Sequence, residues 1–261
     1  MTETDIEASR APLMDHLYEL RTRLIWSLGT FMVLFIMFFM LSKDIYGILV
    51  EPYGAVAGPD ARLIYTAPQE YFFTEMRVAL FTAAFFSLPV VFTQVYKFVA
   101  PGLYKREKAA FAPYLFATPV FFALGALLVY YVVMPNLLRF FISMQVAKQP
   151  GQPQIEMLPR VSEYLSLVMT LIFAFGITFQ MPVVLTLLGN IGVVTSAFLI
   201  RQWRYAVVII VAVAAVLTPP DLFSMATLVV PGLMLYGLSI LSVRYIEMKR
   251  GKAVAVRDDE G

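Results

Sequence analysis

Two carboxylates sit among cations at the polar mouths of apolar runs. Glu19 lies within His16-Leu-Tyr-Glu-Leu-Arg-Thr-Arg-Leu24, and Glu107 closes Phe98-Val-Ala-Pro-Gly-Leu-Tyr-Lys-Arg-Glu107. A carboxylate accepts the planar guanidinium fork through two hydrogen bonds at once, which an ammonium cannot match, so such a pair suits the recognition of arginine. A plainer reading is open for each. Glu19 can pair with Arg23 one helical turn on, and Glu107 can complement the positive N-terminus of the helix that it enters.

Other polar residues stand where polarity is expensive. Gln180 falls inside an apolar run, where it either bonds a neighbouring helix and relieves the break at Pro182 or offers a docking contact to a partner. Glu75 and Arg77 lie at a span end and fit interfacial snorkelling. Asp221, after two prolines, reads as the N-cap of a last membrane helix. The single histidine, His16, is in a polar lead-in and there is no cysteine, so no ligand set for a transition metal exists. The histidine and paired aspartates of intramembrane proteases are missing at membrane depth, as is a phosphate-binding glycine loop. No enzyme, no cofactor and no nucleic-acid partner is expected.

The elements that position these groups follow from composition. Of the 261 residues 60% are hydrophobic and 15% charged, with mean hydropathy +0.75, well above a soluble domain. Apolar runs of about 20 residues without strand alternation predict helices that satisfy their own backbone groups in lipid. The expected fold is all-α: a polytopic membrane protein of six transmembrane helices, kinked at prolines, in one membrane domain (1–261).

In order, residues 1–23 form an amphipathic lead-in with Leu13, Leu17, Leu20 and Leu24 on one face. No small-residue cleavage pattern follows the first apolar run, so no removable signal peptide is expected. Spans are placed at about 24–41, 72–98, 109–133, 164–188, 205–217 and 222–243. Between them lie two large caps, 42–71 and 134–163, whose prolines and glycines break regular structure, and a tail at 244–261. The fifth span is too short: thirteen residues at 1.5 Å give about 20 Å against a hydrocarbon core of about 30 Å. Its hairpin with the sixth should thin the bilayer locally. Trp26, Tyr96, Trp203 and Tyr205 near span ends read as interface anchors.

Six spans put both termini on one side, together with most of the lysines and arginines. Only Lys43, Arg62, Arg77, Arg139, Lys148 and Arg160 fall on or near the other. The positive-inside bias makes the termini and the Phe98–Glu107 loop cytoplasmic and the caps external.

Four blocks carry a resemblance. The two quoted above, with Ala174-Phe-Gly-Ile-Thr-Phe-Gln-Met-Pro182 and Leu217-Thr-Pro-Pro-Asp-Leu-Phe-Ser224, resemble in the same order the signatures of the TatC family, the multispanning receptor of the bacterial twin-arginine translocase. The resemblance runs from about residue 13 to 245. It implies a protein of the bacterial inner membrane that binds twin-arginine signal peptides of folded proteins at the cytoplasmic face and nucleates a complex driven by the proton-motive force. It further implies single-span TatB-like and TatA-like partners, contact with membrane lipid, and several copies of the chain per complex. On the matching positions, Glu19, Phe98 and Glu107, with Arg21 and Lys105 beside them, form the peptide site, and Pro52 is a sensitive residue of the external cap. Gln180, Ala215, Thr218 and Met225 fall where partners dock. Two positions depart from many members: Gln180 stands where glutamate is common, which favours hydrogen bonding over titration, and Met225 where some have glutamine. The competing class is an ion-coupled transporter of a small solute, which would keep ionisable groups near the bilayer midplane; the spans carry almost none away from their ends.

Overall fold

The computed structural model describes residues 3–59, 61–99, 105–145, 157–217 and 222–259; within the helices, the side chains of 3–13, 15–16, 96–97, 99, 105–112, 217, 223–224 and 250–259 lie outside the description. Among the described residues the chain is helical apart from loops and one isolated bridge. Five helical stretches are long and apolar enough to cross a membrane: Leu17–Met40, Glu70–Val95, Pro113–Ser143, Val161–Asn190 and Met225–Lys249. A sixth apolar helix, Trp203–Val216, is shorter.

Lead-in and first span are one helix, α1 (Glu3–Met40). It lies chiefly along α3 (Glu70–Val99). Only 6% of its apolar window is buried, against 39% in the Val161–Asn190 stretch, so α1 is peripheral and that stretch is central. The core gathers on α6 (Val161–Thr178), where Leu165, Val168, Leu171 and Phe175 are buried against Val78 of α3 and against Val129, Met134, Leu137 and Leu138 of the third span. Buried Thr82, Thr118 and Ser239 donate to carbonyls one turn back, so these hydroxyls are satisfied within their own helices.

Two glycines set the closest helix approach. A Cβ on Gly125 of α4 (Lys105–Leu128) would lie 2.8 Å from the Phe175 carbonyl oxygen, and one on Gly176 would lie 2.5 Å from the Phe122 ring. Small residues let the backbones of α4 and α6 meet, the usual device where lipid offers no hydrophobic drive.

The third span runs past the expected end at Val133. After α4 a π-helical turn, Val129–Val133, leads into α5 (Met134–Ser143), with Pro135 at its start. The wider turn hands the Met134 N–H back to Val129 O, so the proline that looked like a terminus opens a continuation.

The segment after α1 also departs from expectation, because α2 (Ser42–Ala57) is a helix that contains Pro52. Proline removes the N–H that would bond Ile48 O. The Tyr130 hydroxyl, on the π-helical turn, lies 2.9 Å from that carbonyl and 2.9 Å from Glu51 Oε2. Tyr164 of α6 donates to Leu49 O at 3.0 Å. Beyond α2 the two caps are tied together: Ile64 N donates to Pro159 O (3.1 Å) and Val161 N to Ile64 O (2.9 Å), the isolated parallel bridge Ile64–Arg160. Glu70 clamps the junction, accepting from Thr66 N at 2.9 Å and from the Ser162 hydroxyl.

At the other end of the bundle, α7 (Met181–Asn190) packs on α10 (Leu222–Asp259), where a Cβ on Gly189 would meet Val243 at 2.9 Å. Glu247 of α10 accepts from the Ser196 backbone N–H at 2.9 Å and from its hydroxyl, fixing the start of α8 (Ser196–Arg201). The short α9 (Trp203–Leu217) then leads back, with Ile210 against Gly232 of α10.

Candidate functional site

The end of the bundle where α3 stops and α4 begins holds the first group of expected residues. Glu19 lies on α1 where heptad-like apolar spacing gives way to charge, and helical periodicity puts Arg23 directly above it. Arg23 Nη2 donates to Glu19 Oε1 at 2.9 Å, and both side chains are about one-third exposed. The same guanidinium reaches α3, where Nη1 lies 3.4 Å from Gln94 Oε1. Its Nε is buried with no hydrogen-bond partner. Arg21 is exposed on another face of α1. Phe98, one turn beyond Gln94, is partly buried. Lys105 opens α4 and Glu107 lies in its first turn, but both side chains fall outside the described residues, as do residues 100–104.

The plainer reading of Glu19 is therefore realised in this structure: it pairs with Arg23. A part-exposed carboxylate held by a single nitrogen keeps acceptor capacity.

The second group is divided. Pro52 is buried in α2, and the Ile48 carbonyl one turn before it accepts from Tyr130. Gln180 sits at the break between α6 and α7, where Phe179 N bonds Phe175 O and Gln180 N bonds Ile177 O. The Gly176 carbonyl thereby loses its helical donor, and Gln180 Nε2 replaces it at 3.3 Å while donating to Thr118 O of α4 at 3.1 Å. One side chain thus heals a break and joins two helices. Gln180 also lines an apolar groove of about 340 Å³ with Ile177, Val184, Ile209 and Val213, between α6–α7 and α9. Ala215 is exposed near the end of α9, and Met225 is partly buried against the core. Thr218 and Asp221 lie outside the described residues, so the capping role expected of Asp221 has no geometry here.

Sequence reasoning missed Gln94, Tyr130, Glu70 and Glu247. Only Glu70 carried a local signal, an acid in the first turn of a helix four residues after a threonine. The partners of the others lie 51 to 82 residues away in the chain. Among the described residues no cluster of histidine and acidic side chains could hold a metal ion.

Comparison with known proteins bears on the same residues. The family model described as "Sec-independent protein translocase protein (TatC)" matches residues 15–231. A protein of that name from Magnetococcus marinus is 44% identical over 254 residues, 97% of this chain and 91% of its own length. One from Rickettsia prowazekii is 39% identical over 237 residues, covering 90% of this chain and 94% of its own. A solved structure described as "Crystal Structure of Twin Arginine Translocase Receptor- TatC" superposes with a TM-score of 0.75 at 33% identity, over 89% of this chain and 99% of that one. With a family match over residues 15–231 and relatives alike over nearly the whole length, this multi-pass membrane chain belongs to the TatC family of Sec-independent protein translocase proteins.

Proposed function

We propose that the chain is the receptor subunit of a twin-arginine translocase, and that Glu19, Phe98 and Glu107, with Arg21 and Lys105 at their margins, form its site for signal peptides bearing consecutive arginines. The observation that carries this reading is the Glu19 carboxylate, held part-exposed midway along α1 near Gln94 of α3, already in contact with a guanidinium. What binds one guanidinium in this setting suits another. The crystal structure described as a twin-arginine translocase receptor supports the same role.

The excess of lysine and arginine around this end supports a cytoplasmic site, cytoplasmic termini and an external cap. The groove beside Gln180, with Ala215 on α9 and Met225 on α10, suits apolar single-span partners of the TatA and TatB kind, and Thr218 belongs to the same proposed docking set. Several such units, each with its own receptor chain, would make up the working complex in the bacterial inner membrane, drawing on the proton-motive force. No step in this scheme asks the chain for catalysis.

The test is photocrosslinking from positions 19, 98 and 107 to a signal peptide carrying Arg-Arg, beside a Lys-Lys version. Crosslinks lost with the lysine pair are expected. Charge reversal at Glu107 should weaken them far more than reversal at Glu51, which lies at the cap end on α2; equal effects would remove the site, and no crosslinks in well-folded protein would remove the receptor role.

A further inference from the structure

We propose that Arg23 is an internal occupant of the arginine-binding carboxylate, so that a signal peptide binds by exchange: its guanidinium takes Glu19 and Arg23 falls back on Gln94. The inference rests on the receptor reading above. Four features of the geometry support it. The Arg23–Glu19 contact is one nitrogen on one oxygen, Nη2 to Oε1 at 2.9 Å, and leaves the bidentate arrangement unused. A ligand guanidinium that engages both oxygens forms the stronger pair, whereas a lysine ammonium offers no second parallel bond. The pair is also accessible, with side chains 29% and 31% exposed, so it can open without stripping a fully buried charge of its partner.

Arg23 is also imperfectly satisfied where it stands. Its Nε is buried without a hydrogen-bond partner, an arrangement that costs free energy and makes the present pairing a poor competitor. An alternative acceptor is in reach: Gln94 Oε1, 3.4 Å from Nη1, is on α3 and would close up as Glu19 is withdrawn. Arg23 therefore sets a threshold. Every ligand that uses Glu19 must displace the same resident competitor, so all of their affinities fall by one common factor, and only those that bind tightly enough to bear that loss still occupy the site.

The size of the effect follows from the pair. Part-exposed i,i+4 ion pairs are modest, so internal competition should raise the apparent Kd of every peptide that uses Glu19 by roughly two- to six-fold. The experiment measures binding of fluorescent Arg-Arg and Lys-Lys signal peptides to the full-length protein in nanodiscs. Arg23→Gln should tighten both by that factor and leave their ratio unchanged. In the Glu19→Gln background, adding Arg23→Gln should give no gain, because nothing is left to compete for. An equal gain there would mean simple charge repulsion, and weaker binding by Arg23→Gln would mean that Arg23 holds Glu19 in place; either overturns exchange. Arg23→Met, which keeps the apolar stem, serves if the glutamine variant does not fold, and failure of both would make Arg23 a fold determinant and equally overturn it. If wild type does not bind the Arg-Arg peptide, the receptor reading itself falls; if it binds and Arg23→Gln is unchanged, only the exchange does.

Discussion

The Tyr130 hydroxyl lies 2.9 Å from the Ile48 carbonyl, the acceptor that Pro52 leaves without a helical donor. A proline inside α2 is thus tolerated because a side chain from the third span, 82 residues away, supplies the missing bond. The position that the family resemblance marks as sensitive is joined in this way to the π-helical turn.

Tyr130→Phe should destabilise the protein by about 1 kcal/mol, since it removes the donor that replaces the N–H Pro52 lacks. Pro52→Ala returns a backbone N–H to Ile48 O. The double variant should therefore lose less than the single tyrosine variant, as read from thermal unfolding in detergent; strict additivity would show that the two do not share the carbonyl.

Gln180 gives a second test of a shared acceptor. Gln180→Leu leaves the Thr118 and Gly176 carbonyls without its amide, and a loss of about 1–3 kcal/mol is expected. Gln180→Glu restores a donor only while protonated. Its Tm should fall as pH rises, where that of the leucine variant stays level relative to wild type.

At the α4–α6 crossing, Gly176→Ala drives a methyl into the Phe122 ring, and Gly125→Ala drives one into the Phe175 backbone. A ring can move and a carbonyl cannot. Each change should cost about 1–3 kcal/mol, but Phe122→Leu should rescue Gly176→Ala and leave Gly125→Ala unimproved, again by thermal unfolding.

The short helix α9 carries a prediction about transport. Its 15 residues span about 22 Å, short of a hydrocarbon core of about 30 Å. Inserting four leucines within α9 should abolish export of a folded twin-arginine cargo while leaving peptide binding intact. Full export would count against a role for locally thinned membrane.

Much of this was legible in the sequence because lipid leaves so few choices. Apolar runs of span length had to be helices, and the brevity of α9 could be counted directly. The helix at α2 was not legible, since Pro52 and Gly54 break helices unless a distant donor intervenes, and Tyr130 carries no local mark of that duty. The end of the third span was hidden for a related reason: Met134-Pro135 is as good a start for α5 as a stop for what precedes it. For the site, the Glu19–Arg23 pairing was available from spacing alone. Its tie to Gln94 was not, because nothing in periodicity says which residue of α3 faces α1.

The peripheral place of α1 also bears on how the chain is made. Its main neighbour, α3, begins thirty residues after α1 ends, as Met40 and Glu70 mark. During synthesis the first helix must therefore wait alone in lipid, stable on its own apolar length, until the second span arrives beside it. The contact between Arg23 and Gln94 is among the first tertiary bonds that the growing chain can close, so the end of the bundle that holds Glu19 is assembled before the α6 core exists.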